Sequence, residues 1–377
     1  MTVQLALLQP KPFVPMPSGS VHYVAALQNK TGELEALRNA SEQTWSRLTP
    51  LLHIVGRQLQ PPEFRSANIS EWVRKLGEAV GTHPFFLDLL RLDPSHPVTT
   101  TKGPVPLLER IYWATRRRSL NVVPVVTVGH STSAHFTLVR SITETDGRGV
   151  ALRYPIRTLA LEASKQQAYL NSVLDAVGTD VGAADLLIDL AYLDPDVDVR
   201  AEDLGPAIAG ALAVGSWRNV VVFGTSIPSM MSCVPEGTMG TLPRTEWEIW
   251  QALRSVGLSR VPAYGDYAIQ HPRPPHDVGG GGTMRANIRY TIEDGTLVAR
   301  GRGPVRQEGN EQYIGLCQEL IARAEFAGAG YTWGDGLIDG CARGQEEPGA
   351  QNVWRGAGTS HHLRFVTDQL DRLSGAA

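Results

Sequence analysis

Three aspartates, Asp88, Asp189 and Asp266, stand at or near the ends of short apolar runs. A carboxylate at the end of a buried strand is costly unless it is paired, hydrogen-bonded or used. If the three ends meet, these side chains could bind a divalent cation such as Mg2+ or act as catalytic acid and base. The plainer alternative is that each caps a neighbouring loop or pairs with an arginine, Arg91 or Arg153. His130 closes another run in Val128-Gly129-His130-Ser131, and an imidazole that titrates near neutrality could move a proton there. A loop histidine held by a backbone carbonyl is the competing account. His53 reads as a core histidine, and the adjacent His361 and His362, about 100° apart on a helix, read as structural.

Anion binding is the second chemistry on offer. Gly224-Thr225-Ser226 ends one run, where loop amides could hold a phosphate, although a glycine after a strand also makes a plain tight turn. Lys30 and Arg153 are further cationic candidates. Residues Ile288–Ile292 and Leu297–Gly301 read as a hairpin turning at Asp294-Gly295. In that register Arg289 faces Arg300, an opposition of like charges that an anion between them would relieve. Arginines splayed into solvent would need no anion. Tyr267 and Trp333 offer ring faces on which a base could stack, or else fasten a C-terminal extension. The tripeptide Arg116-Arg117-Arg118 fits a solvated helix end, with a phosphate-contact patch as the alternative. No HExxH or GxSxG signature is present, so no reaction is named by motif.

These residues are carried by eight short apolar runs: Tyr23–Leu27, Leu48–Val55, Pro84–Leu90, Val122–Val128, Val150–Tyr154, Asp185–Leu190, Val220–Gly224 and Val261–Tyr267. Helix-like stretches separate them, and successive starts lie about 25 to 41 residues apart, the length a βα crossover needs. The pattern predicts an α/β protein, a (β/α)8 TIM-like barrel over residues 22–270, with any active site at the C-terminal strand ends. A proline-rich N-terminal arm (1–21), a mobile Pro/Gly-rich loop (271–282) and a C-terminal hairpin with helices packed on the barrel (283–377) complete the expected organisation. Expected helices include Pro104–Arg118, Gln312–Ala327 and Thr359–Leu373, and Thr245 is read as an N-cap with Glu248 completing a capping box. Phe86–Pro94 aligns with Leu187–Pro195, setting Asp88 over Asp189; shared strand-to-turn mechanics explains this more simply than repetition.

The 377 residues carry a formal net charge of −3, which argues against binding duplex nucleic acid through a broad basic face. Three cysteines without CxxC spacing fit a reducing compartment. No run approaches the roughly 20 apolar residues of a membrane span, and no signal peptide is legible. A soluble cytoplasmic protein is expected.

The chain resembles the phage "beta protein" family, found in phages and bacterial defence neighbourhoods. The likeness rests on Tyr23–Glu33 with Ala36-Leu37, Thr49–Leu52, Tyr264-Gly265-Asp266-Tyr267, Ile288-Arg289-Tyr290, Arg300-Gly301, Trp333-Gly334-Asp335 and Trp354–His362. Where the family pattern carries a first lysine, this chain has Gln28; Lys30 keeps the second. The resemblance implies a barrel-like fold and a role in phage conflict, and it brings no established reaction. Two readings compete. One is an anti-phage defence-associated protein that works by recognition, alone or with a nuclease-like protein partner. The other is a barrel enzyme, a phosphate-related hydrolase or lyase, acting on a phosphorylated or nucleotide-like small molecule.

Overall fold

The computed structural model describes residues 22–54, 66–89, 92–155, 163–273 and 284–375. The expected N-terminal arm, Arg91 and most of the Pro/Gly-rich loop lie outside them. The first half of the barrel comprises β1 (Tyr23–Leu27), α1 (Thr31–Arg38), α2 (Glu42–Trp45), β2 (Leu48–His53), α3 (Ser66–Val80) and β3 (Phe85–Asp88). A hairpin of β4 (Pro97–Thr100) and β5 (Gly103–Pro106) then leads into α4 (Leu107–Arg117) and β6 (Val122–Thr127). The second half runs α5 (Ser133–Asp146), β7 (Val150–Pro155), α6 (Ala163–Val177), β8 (Ala184–Tyr192), α7 (Ala201–Leu212) and β9 (Asn219–Thr225). It ends with β10 (Met239–Leu242), α8 (Thr245–Leu253) and β11 (Ala263–Asp266).

Eight of these strands close into a parallel ring in the order β1-β11-β9-β8-β7-β6-β3-β2. Closure rests on β1, whose Tyr23 pairs with Leu48 on one side and Tyr264 on the other. Strands buried on both faces read as near-continuous apolar runs, which is why these segments stood out. Alternation divides them: Val24, Ala26, Leu51, Phe86, Val125, Ala151, Leu187 and Phe223 fill the interior. Their neighbours Tyr23, Ala25, Leu52, Leu152, Ile188 and Val222 face the helices. Helix α3 shows the complementary pattern, burying Ile69, Trp72, Val73, Leu76, Ala79 and Val80 at three- and four-residue spacing.

The C-terminal part holds β12 (Arg285–Ile292), β13 (Gly295–Pro304), α9 (Val305–Glu308), α10 (Gln312–Ile321), α11 (Trp333–Ala342) and α12 (Gln351–Gly375). Its sheet has the order β10-β13-β12, so the chain following β9 supplies an edge strand to it. A second core forms there around Tyr290, Tyr313, Leu316, Ile338 and Trp354. Helix α12 packs between this layer and α1. A Cβ added at Gly32 would stand 2.2 Å from the Asn352 carbonyl, and one at Gly358 would stand 2.4 Å from the Arg289 carbonyl. Only glycine permits such backbone approach on both sides of one helix.

Several local expectations are corrected. Pro104 and Pro106 belong to β5, and α4 starts after them. Arg244, not Thr245, is the N-cap of α8. Helix α10 stops at Ile321, and α12 starts at Gln351, eight residues before the expected Thr359. The hairpin turns at Glu293-Asp294, because Ile292 pairs with Gly295. Moving the turn by one residue shifts the pairing by two, setting Arg289 opposite Val298 and Arg300 opposite Asn287, so the two arginines do not face each other. Among the described residues no helix is long and apolar enough to cross a membrane.

Candidate functional site

Interior-facing positions continue past the apolar layers to the C-terminal strand ends. There the alternation that buries Leu51, Phe86, Ala151 and Leu187 next presents His53, Asp88, Arg153 and Asp189. Arg153 joins them. Its Nη1 donates to Asp88 Oδ2 at 2.6 Å, and its Nε and Nη2 donate to Asp189 Oδ2 at 2.9 and 2.6 Å. Nη2 also reaches the Tyr267 hydroxyl at 2.8 Å, and that hydroxyl donates to Asp189 Oδ1 at 2.8 Å. His53 Nδ1 lies 3.1 Å from Arg153 Nη1 and 3.3 Å from Asp88 Oδ2, with its ring stacked on Tyr267. Asp88, Arg153, Asp189 and Tyr267 are all buried.

The electrostatics follow from this crowding. Burial pushes the Asp88 carboxyl up, but the Arg153 charge and the His53 hydrogen bond win, holding it well below the usual range. Burial, with the Arg153 charge, lowers His53 from its ordinary value against the pull of Asp88. One guanidinium thus bridges two carboxylates beside an imidazole whose neutral form burial favours. Among the described residues, Gln28 Oε1, His53 Nε2 and Thr127 Oγ1, buried on inward-facing positions of the strand ends, have no partner. Backbone strain also gathers at the strand ends, where Asn29, Ala191 and Ala268 adopt positive φ without being glycine. Asp189 Oδ1 accepts from the Ala191 amide at 2.8 Å, holding one of these turns.

Asp266 is not part of this group. Tyr267 occupies the inward position beside it, so Asp266 points outward, towards α12. It accepts from the Tyr23 hydroxyl at 2.6 Å and the Ala268 amide at 2.8 Å, and lies 2.9 Å from His362 Nε2. His362 Nδ1 meets Thr291 Oγ1 at 2.7 Å. Next to it Asp335 accepts from Tyr290 at 2.7 Å and lies 3.1 Å from His361 Nδ1, whose Nε2 is 2.9 Å from the Thr291 carbonyl. Burial lowers His362 from its ordinary value, and Asp266 opposes that shift. This second cluster is a polar seam fastening the C-terminal layer to the barrel.

The remaining predicted residues are dispersed. His130 is exposed on its loop, with Nδ1 3.4 Å from the Val128 carbonyl. His135, one helical turn into α5, is the buried histidine nearby, lowered to about 4 by burial. Thr225 Oγ1 accepts from the Ile227 amide at 3.0 Å. Ser226 gives both its amide and its hydroxyl to Glu246 Oε2 at 2.8 Å, which occupies the expected anion position with a carboxyl that burial pushes up to about 7. Lys30 precedes α1, its amide donating to Glu33 at 3.0 Å. Arg289 donates to the Ile269 carbonyl at 2.5 Å, and Arg300 to the Val234 carbonyl; burial brings Arg289 down to about 10. Trp333 opens α11 in the C-terminal layer, away from Tyr267. His53 is the residue that sequence reasoning assigned to the core; its in-phase position two residues after inward Leu51 was the signal available.

The family model described as Beta protein matches residues 23–368. The chain belongs to the Beta protein family. Its motif residues Tyr23, Asp266, Tyr290, Asp335, His361 and His362 gather in the seam, and Gly32 and Gly356 mark the contact between α1 and α12. No curated protein matches in sequence. Among solved structures, oxaloacetate acetylhydrolase in complex with the product oxalate is similar at 10% identity, over 66% of this chain and 76% of that one, with a TM-score of 0.35. That degree of likeness says nothing about activity.

A divalent cation does not fit between Asp88 and Asp189, because Arg153 already bridges the oxygens that would ligate it. Among the described residues no three His, Cys, Asp or Glu side chains gather so as to hold a metal.

Proposed function

We propose that this Beta protein family member acts by recognition in anti-phage defence, alone or with a nuclease-like partner, with the barrel mouth as its sensing site. The observation that carries this reading is the bridging of Asp88 and Asp189 by Arg153. Mutually neutralised charges make a fixed polar surface and leave neither carboxylate free as a base. The unpartnered atoms of Gln28, His53 and Thr127 then suit a small ligand with complementary hydrogen-bonding groups. The implied family context, phages and defence neighbourhoods, supplies the biological setting.

A second reading, a barrel enzyme acting on a small molecule, is favoured by one feature. His53 has one ring nitrogen against Asp88 and Arg153 and leaves Nε2 unpartnered, the arrangement of an oriented general base. In that reading His53 takes the proton-moving role expected of His130. Phage challenge of cells carrying wild-type, Asp189→Asn and His53→Gln forms separates the two. Recognition predicts loss of protection in Asp189→Asn and retention of at least part of it in His53→Gln. Loss of more than about a hundredfold in His53→Gln alone, at unchanged protein level, favours the enzyme. Full protection by both variants removes the mouth from either account.

A further inference from the structure

Away from the mouth, α4, α3 and the β4–β5 hairpin line an open groove of two adjoining hollows of about 620 and 460 Å³. Both are lined by Arg110 and Trp113; Arg117 and Arg118 line one, and Lys102 with Thr99, Thr100 and Thr101 the other. Arg110 is only 6% exposed. It donates to Ser66 Oγ at 2.8 Å, to the Ser66 carbonyl at 3.1 Å and to Ser70 Oγ at 2.7 Å. Among the described residues its Nη1 has no partner and no carboxylate pairs with it. A buried guanidinium without a counter-ion is costly, and the cost falls when an anion arrives. Trp113 keeps the cations in place, with the Arg110 and Arg117 guanidinium carbons 4.4 and 4.9 Å from its ring centroid. Arg116 is excluded from this set, since it turns inward to Asp146 at 2.6 Å.

We propose that this groove binds a phosphorylated small molecule of nucleotide size, with Arg110, Arg117 and Arg118 receiving the phosphate. Arginine forks match phosphate oxygens bidentately, and the cavity volumes suit a ligand of that size. One carboxylate, Glu109, also lines the larger cavity. A nucleic-acid strand fits less well: leaving the groove along α3 it meets Glu71 and Glu78, both exposed beside Arg74. The groove is independent of the mouth, so either assignment can fail without the other.

The test is calorimetric titration of the full chain with inorganic pyrophosphate at fixed ionic strength. Saturable binding is expected, weakened at least about tenfold by Arg117→Gln with Arg118→Gln, a pair of exposed changes that should not disturb folding. Arg110→Gln should abolish it, and Asp189→Asn at the mouth should bind as wild type does. Absence of saturable binding at millimolar pyrophosphate overturns the proposal. So does an unchanged Kd in the double variant, or saturation by oligo(dT) with none by pyrophosphate.

Discussion

Two of the buried polar clusters around aspartates, the seam and the mouth, differ in what they leave undone. In the seam, the polar atoms of Tyr23, Asp266, His362, Tyr290, Asp335 and His361 all have partners. At the mouth two carboxylates share one guanidinium, and Gln28, His53 and Thr127 each keep an unpartnered atom. Both clusters are largely buried, both perturb their histidines, and both hold residues by which the family resemblance is read. Burial, pKa displacement and motif membership therefore fail to tell scaffold from site. What distinguishes the proposed sensing site from the seam is its unfinished hydrogen bonding.

The comparison breaks most visibly at the docking of α12. Gly32→Val drives a side chain into the Asn352 carbonyl and should cost more than about 4 kcal/mol or abolish soluble expression, as denaturation and yield would report. Asp266→Ala comes next. It removes the buried carboxylate shared by Tyr23, His362 and the Ala268 amide, leaving His362 Nε2 only the Tyr23 hydroxyl at 3.0 Å, and should lower stability by about 3–5 kcal/mol in urea titration. Thr127→Val should cost less than about 1 kcal/mol, because the buried Oγ1 it removes has no partner among the described residues. Equal costs at Asp266 and Thr127 would erase the distinction.

Acidity probes both clusters on the same side of neutrality. The unfolded chain protonates histidine near 6.5, whereas folded His135 does so near 4, and His53 and His362 are also lowered. Stability present above about pH 6.5 should fall as pH drops towards 4, by on the order of 2–3 kcal/mol from His135 alone. His135→Gln should flatten that slope. Glu246 runs the other way: raised to about 7, it stabilises most below its unfolded value of 4.5 and loses that contribution as pH rises through 7, a loss that Glu246→Gln should remove. The smallest expected effect is a gain of about 0.5–1 kcal/mol in Ala268→Gly, from relief of its φ of 49°. Loss of function in that stabilised variant would tie the strain to the mouth.

The eight strands were legible because burial on both faces makes each an unbroken apolar run. The same property hid their phase. Ala263-Tyr264-Gly265 is apolar on either side, so nothing in the residues says that Tyr267 points in and Asp266 out. Asp88 and Asp189 were recoverable as a pair because their segments align, and the turns behind them do match. Asp93 accepts from the Ser95 amide at 2.9 Å as Asp194 does from Asp196 at 3.1 Å. The arginine pair failed for a different reason: a turn displaced by one residue re-registers the whole ladder, and Glu293-Asp294 competes with Asp294-Gly295 for that turn. Arg153 was named both as an anion ligand and as a carboxylate partner, and only closure of the ring decides which carboxylates it reaches.

The most direct test places Thr127→Val, which removes an unpartnered mouth atom, and the conservative seam variant Asp266→Asn side by side in phage challenge, with thermal unfolding recorded for each purified protein. The account predicts that Thr127→Val keeps its melting temperature and loses protection, while Asp266→Asn loses protection only in proportion to its lost stability. A stably folded Thr127→Val protein that protects as well as wild type would contradict it.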